Sequence, residues 1–222
     1  MSLSEELQDL RERGKDLPLA TRTVFEEGIQ DLSRSGIVER SLKVGDRAPE
    51  FELPDFMGRS VRLADLLQEG PVVISFYRGG WCPFCTAEMK TLQRALPSIS
   101  SLGATVVAIS PQTLDCAEGN CTDLELEYIV LGDSGNRVAG KFGIVYRLQD
   151  EMQSVYRDLG LELPEYNDDD SWSLPIPATY VLDRDGKIRL AFVDPDYTRR
   201  LDPTQILATL SSLAAEEAGK DT

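Results

Sequence analysis

Val72-Val73-Ile74-Ser75-Phe76-Tyr77-Arg78-Gly79-Gly80-Trp81-Cys82-Pro83-Phe84-Cys85 decides the fold of this chain. Its first six residues are a β-branched and aromatic run of strand length, and Arg78-Gly79-Gly80 interrupts it with residues that tolerate unusual backbone angles. From Thr86 onward, Met89, Leu92, Leu96 and Ile99 recur at helical spacing, and Pro83 suits a first helical turn, where its missing N–H is no loss. The stretch predicts a buried strand, a sharp turn and a helix that begins on two thiols. A thiolate at a helix N-terminus faces unpaired N–H groups and the positive end of the helix dipole, so Cys82 is expected to ionise below the ~8.5 of a free thiol. Cys85 lies one turn further in, within disulfide reach, and so small a ring opens and closes without unfolding its surroundings. The strand-turn-helix context favours a cycling redox pair over an inert buried pair, a structural disulfide or half of a zinc site. Trp81 and Pro83 shape the surface around it.

Outward from this segment, strands and helices alternate. Phe51-Glu52-Leu53 and Ser60-Val61-Arg62-Leu63 flank Asp55-Phe56-Met57-Gly58, which predicts a hairpin ahead of the central strand. Thr105 to Ser110 and Tyr128 to Leu131 read as further strands of βα units with a parallel sheet. A short helix is expected over Asn136 to Phe142, then an irregular insertion from 144 to about 173, whose acidic run Glu165 to Asp170 reads as a solvated loop rather than a calcium site. Ala178 to Leu182 and Ile188 to Val193 form a hairpin around Asp185-Gly186. A closing helix starts near Pro203 with Ile206, Leu207, Leu210 and Leu213 on its apolar face. Residues 1–42 read as an N-terminal helical extension: Ser2 and Glu5 make a capping box, and Phe25, Ile29 and Leu32 share a face before Gly36. Three readings of this arm stand: a cover for the main domain, a contribution to a homodimer interface, or a simple surface helix pair. The expected organisation is the extension, a main α/β domain over 43–215, and a tail over 216–222.

Composition narrows the chemistry. With 222 residues and 41% hydrophobic content, the chain buries one good core rather than two. The opening Met1-Ser2-Leu3-Ser4-Glu5-Glu6 has no basic or apolar signal region, and no stretch reaches the length of a membrane span, so a soluble cytoplasmic protein is expected, with no membrane partner. A net charge of −15 argues against nucleic acid or an anionic membrane, which demand clustered Lys and Arg. Four cysteines in a cytosolic chain favour catalytic over structural bridges. The chain has no histidine, which removes the commonest general base, the commonest metal ligand and every Cys-His mechanism. No phosphate loop or dinucleotide fingerprint is present, so no cofactor and no metal are expected.

The order of elements, with Trp-Cys-x-x-Cys between strand and helix, resembles the thioredoxin fold, a central mixed sheet flanked by helices. Val44-Gly45-Asp46-Arg47-Ala48-Pro49-Glu50-Phe51-Glu52-Leu53-Pro54-Asp55 resembles the opening motif of peroxiredoxins of the AhpC/TSA superfamily, and Phe76 to Cys85 is similar to the active-site segment of a peroxiredoxin-like branch of it. The resemblance runs from about 43 to 213. It implies a thiol-dependent oxidoreductase that reduces hydroperoxides through Cys82 and Cys85, reset by a thioredoxin- or glutaredoxin-like reductant; a general thiol–disulfide oxidoreductase acting on disulfides is the alternative. The chain departs from the family pattern in two places. Arg78 stands for the usual proline and Cys82 for the usual threonine, which leaves Cys85 in the peroxidatic position. Where an arginine would polarise the O–O bond, the chain reads Leu174-Pro175-Ile176-Pro177-Ala178-Thr179. Pro177 there resembles the cis-proline of thioredoxins, and Arg78 is the candidate replacement guanidinium, its rival role being an exposed residue before the turn. Helix-terminus physics makes Cys82 the exposed attacking thiolate; alignment to peroxiredoxins makes Cys85 the attacker and Cys82 the resolver. Cys116 and Cys121 either relay oxidation or are unused thiols, and joined to the first pair they would form a four-thiolate zinc site. A non-catalytic thioredoxin-like binding module is the remaining reading.

Overall fold

The computed structural model describes residues 2–220. In chain order, α1 (Leu3–Gly14), α2 (Leu19–Arg34) and α3 (Ile37–Arg40) precede the hairpin β1 (Glu52–Pro54) and β2 (Ser60–Arg62). Then come α4 (Leu63–Glu69), β3 (Val72–Phe76), α5 (Pro83–Ser101), β4 (Thr105–Ser110), α6 (Leu114–Asp123), β5 (Ile129–Gly132) and α7 (Arg137–Lys141). The last third holds β6 (Val145–Arg147), α8 (Asp150–Asp158), α9 (Leu163–Asn167), β7 (Ser173–Pro175), β8 (Ala178–Leu182), β9 (Ile188–Val193) and α10 (Pro203–Lys220).

The central sheet has the order β5-β4-β3-β8-β9. β3, β4 and β5 run parallel, and β8 and β9 run antiparallel to their neighbours, with Phe76 opposite both Ile109 and Ala178. The two-residue period of a strand sorts β3 between two cores. Val72, Ile74 and Phe76 join Val107, Ile109, Leu131, Phe142, Tyr180 and Leu182 on the face covered by α4 and α7. Val73 and Tyr77 join Val106, Val130 and Val181 on the face covered by α5 and α10, where Met89, Leu92, Ile206 and Leu210 are buried. No solvent-exposed face is left on β3, which is why its sequence is apolar apart from the buried Ser75.

The N-terminal arm packs on its own chain. α1 opens with the expected capping box, Glu5 N–H donating to Ser2 Oγ at 3.3 Å and Ser2 N–H to Glu5 Oε2 at 2.7 Å, and it buries Leu3 and Leu7 with Ala87 of α5. α2 lies against α8: a Cβ on Gly28 would come within 2.4 Å of Met152 Cε, and Phe25 meets Tyr156 edge-on at 6.1 Å.

Two expectations change. The segment 144–173 is ordered rather than irregular; β6 pairs with β7, and α8 and α9 close a small core of Leu148, Met152, Tyr156, Leu163, Trp172 and Leu174. Strands of three residues and helices of nine and five are too short for hydrophobic periodicity to reveal. The closing helix continues through residues 216–220, where a tail was expected; positions 221 and 222 lie outside the described residues. No helix among the described residues is long and apolar enough to cross a membrane.

The face under α7 centres on three mutually packed rings, tilted or edge-on to one another, Phe76–Phe142 at 4.9 Å, Phe142–Tyr180 at 5.0 Å and Phe76–Tyr180 at 6.2 Å. Phe142→Ala removes the ring that lies nearest to both others and is expected to cost about 3–5 kcal/mol, read from the urea midpoint at unchanged m-value; a loss under about 1 kcal/mol would show that this core collapses around the cavity.

Candidate active site

The dithiol lies where β3 hands over to α5. Tyr77 N–H still donates to Ile109 O at 3.0 Å, and the chain then turns through two glycines that no larger residue replaces freely. Gly79 has φ +153°, and a Cβ there would sit 2.3 Å from Trp81 Nε1; a Cβ on Gly80 would sit 2.0 Å from the Asn120 amide. Gly80 N–H donates to Gln112 Oε1 at 2.7 Å, and Asn120 Nδ2 donates to the same oxygen at 3.0 Å. The turn is thereby clamped to α6. Cys82 is the N-cap of α5 and Pro83 its first residue, as the sequence predicts, and Cys82 O accepts the N–H groups of Cys85 and Thr86, each at 3.0 Å.

Both thiols are fully buried, which corrects the expectation of an exposed Cys82. A helix N-terminus is exposed only when nothing packs on it, and here several groups do. Arg78, whose rival reading is an exposed residue before the turn, is 3% exposed. Its Nη2 donates to Cys82 Sγ at 3.0 Å and its Nη1 to Tyr156 Oη at 2.9 Å. Its Cζ lies 3.9 Å from the ring centre of Tyr197 and 5.2 Å from that of Trp81, two cation–π contacts on an almost wholly buried charge. Trp81, partly exposed, meets Tyr156 edge-on at 5.6 Å.

A second guanidinium reaches the pair from the loop between β9 and α10. Arg200 Nε donates to Glu88 Oε2 at 2.6 Å, with both side chains buried, and Arg200 Nη2 lies 3.4 Å from Cys85 Sγ. Arg200 Nη1 is held by the carbonyls of Tyr197 and Arg199. Glu88 Oε1 accepts Thr179 Oγ1 at 3.3 Å. Burial pushes the Glu88 carboxyl up, and Arg200 offsets part of that rise.

The two thiols titrate in opposite directions. Burial pushes Cys82 up, but the Cys85 S–H, Arg78 and Arg200 outweigh it and hold Cys82 well below the usual thiol range. Burial, the hydrogen bond to Cys82 and the Cys82 charge together push Cys85 well above that range, against Arg200 and Arg78. The arrangement favours ionisation at Cys82 over Cys85, the order in which a sulfur nucleophile attacks and a second thiol follows.

The remaining predicted residues separate. Pro177 is buried one residue before Ala178, which pairs with Phe76, so it lies at the dithiol end of the sheet. Its peptide bond is trans, since no cis bond occurs among the described residues; this corrects the thioredoxin-like cis isomer and follows the strong trans preference of X–Pro bonds in folded proteins. Cys121 is buried in the same core as the dithiol, and burial with the nearby Glu118 pushes its thiol to about 11. Cys116 is partly exposed on α6. The four cysteines do not assemble a zinc site: among the described residues no three His, Cys, Asp or Glu side chains are placed to share an ion.

Arg200, Glu88, Tyr156 and Tyr197 were not singled out from sequence. Glu88 carried a usable signal, a carboxylate one turn after Cys85 on the stripe of Met89 and Leu92, where burial demands a partner. Arg200 follows another arginine in a loop and carried none.

Comparison with known proteins places this geometry. The crystal structure of peroxidoxin BcpB from Mycobacterium tuberculosis superposes with a TM-score of 0.61 at 26% identity, over 77% of this chain and 97% of that one. Peroxiredoxin Q of the Sedum lineare chloroplast is 26% identical over 76% of this chain and 77% of its own length. The thiol-disulfide oxidoreductase ResA of Bacillus anthracis is 24% identical over 68% of this chain and 69% of its own. Residues 44–191 match the AhpC/TSA family, and the chain belongs to that family.

Proposed function

We propose that this protein is a thiol-dependent peroxidase in which Cys82 attacks and Cys85 resolves. The observation that carries the reading is Arg78 Nη2 at 3.0 Å from Cys82 Sγ, in a site where Cys82 ionises early and Cys85 late. The Cys82 thiolate attacks one peroxide oxygen; the O–O bond breaks, the departing oxygen takes a proton and leaves as alcohol or water, and Cys82 becomes a sulfenic acid. Burial raises the pKa of Tyr156, so its hydroxyl keeps its proton beside the Arg78 guanidinium that would face the developing charge. Cys85 then attacks the Cys82 sulfur, water leaves, and the disulfide forms. An external dithiol of the thioredoxin or glutaredoxin type returns two electrons and two protons. Complete burial of both sulfurs admits a small peroxide through side-chain movement at the partly exposed Trp81 and Phe84, whereas a protein disulfide requires the whole turn to open; this favours peroxidase over general disulfide exchange. Resetting by a protein reductant calls for such an opening in the oxidised form.

Stopped-flow mixing of reduced protein with hydrogen peroxide, followed by Trp81 fluorescence, is expected to run orders of magnitude faster than the same protein unfolded in urea. Cys82→Ser abolishes the reaction, Cys85→Ser stops after one turnover at a sulfenic acid that dimedone traps, and Cys116→Ser changes little. Equal folded and unfolded rates would refute the assignment.

The thiolate absorbance at 240 nm gives a separate check. A thiol whose folded pKa is lowered stays ionised as pH falls below ~8.5 and loses its charge only through the lower folded value. Wild type is therefore expected to keep one thiolate through neutral pH, absent in Cys82→Ser and titrating at higher pH in Arg78→Met. A single transition near the free-thiol value in all three would sink the role of Arg78.

A further inference from the structure

The counter-charge in contact with the buried Arg78 is the Cys82 sulfur. The groups that act most strongly on Arg78 are the Cys82 and Cys85 sulfurs and the phenols of Tyr156 and Tyr146, none of them a carboxylate. Its Nε is buried and has no hydrogen-bond partner. A guanidinium does not deprotonate in a protein. When Cys82 bonds to Cys85, the thiolate charge disappears and Arg78 is left as an uncompensated buried cation, a strongly unfavourable arrangement.

Arg78 also forms part of the wall of a cavity of about 690 Å³ between α2, α8 and the β9–α10 loop. Phe25, Ile29, Val145, Met152, Tyr156 and Tyr197 supply most of its apolar lining. Glu27, Asp31, Arg34, Arg40, Arg147 and Glu151 also line it, all of them exposed, and Arg78 is the one charged lining residue that is buried. A cavity of this size with apolar walls and one buried charged group has the form of a small-molecule site. We propose that this cleft binds a carboxylate on an apolar chain, whose head group takes the free Nε of Arg78 and replaces the Cys82 thiolate as its counter-ion once the dithiol is oxidised.

An apolar carboxylate fits better than an inorganic anion because the walls reward a hydrocarbon chain while Arg78 rewards a single negative head. Binding of this kind is linked to the redox state. A ligand that prefers the disulfide form must by reciprocity make the disulfide harder to reduce, so the cleft would hold the protein oxidised while such a ligand is abundant. The inference rests on the proposed peroxidase only for the natural source of the oxidised state, since removing the Cys82 thiolate by mutation imposes the same loss of charge.

Calorimetric titration of the full chain with octanoate tests it, comparing the dithiol form, the disulfide form made with diamide, and Cys82→Ser under reducing conditions. One site is expected, with affinity about tenfold higher for the disulfide form and for Cys82→Ser than for the dithiol form, a coupling within the usual range. Octanol is expected to bind without redox preference, inorganic phosphate far more weakly than octanoate, and Arg78→Met to lose the preference. Ile29→Trp, which fills the cleft away from the thiols, is expected to weaken octanoate in every form. Equal affinity in the dithiol form and Cys82→Ser, binding of phosphate as tight as octanoate, or no binding at all would overturn the proposal, whatever the peroxide assay gives.

Discussion

A guanidinium almost wholly withdrawn from water, 3.0 Å from a thiol sulfur, is the constraint on which the rest of this structure depends. Burying a cation is costly unless the protein replaces its hydration. Here the replacement comes from three directions: the Cys82 sulfur, the Tyr156 hydroxyl, and the faces of Tyr197 and Trp81. Cys82, Tyr156 and Tyr197 belong to different parts of the fold. Cys82 is fixed by the start of α5, Tyr156 by α8 and Tyr197 by the loop before α10. Phe25 on α2 packs edge-on against both Tyr156 and Tyr197, so the N-terminal arm supports the aromatic wall of the site.

The second arginine makes the two sulfurs unequal. Arg200 is already paired to Glu88 at 2.6 Å, so much of its charge is spoken for, and it meets Cys85 only at 3.4 Å. None of the groups that act most strongly on Arg78 is a carboxylate, and its charge turns on Cys82. One negative charge shared between neighbouring thiols therefore settles on Cys82, which also sits at the positive end of the α5 dipole. The same pair of facts explains why a buried glutamate is tolerated on the apolar stripe of α5: Glu88 holds Arg200 in place, and Thr179 on β8 holds Glu88.

What the sequence revealed and what it hid divide along physical lines. β3, the turn at Gly79-Gly80 and the start of α5 were legible because a long apolar run, two glycines and a proline each act locally. The capping box at Ser2 and Glu5 and the Asp185-Gly186 hairpin were legible for the same reason. Burial of Cys82 and Arg78 was hidden, because it depends on Tyr156 and Tyr197, far away in the chain and brought in by tertiary packing. The β6–α8–α9–β7 segment was hidden by its short elements. Arg200 was invisible in principle: nothing within its own stretch of chain distinguishes it from a surface arginine.

The span that matches the AhpC/TSA family, 44–191, contains both thiols, Arg78, Glu88, Thr179 and Tyr156, yet Arg200, Tyr197 and Phe25 lie outside it. The site is thus completed by chain on either side of the matched region. The family resemblance assigns a hydroxyl to the position of Cys82 and a guanidinium to the segment before β8, and this chain has neither there. A thiol in the hydroxyl's place gives up a neutral hydrogen-bonding group and gains a second sulfur one helical turn from the first. Two guanidiniums arriving from Arg78 and Arg200 then supply positive charge on both sides of the pair. Attack and resolution can both take place within the first turn of α5, without recruiting a cysteine from another element, which leaves the buried, high-pKa Cys121 no step that it must perform.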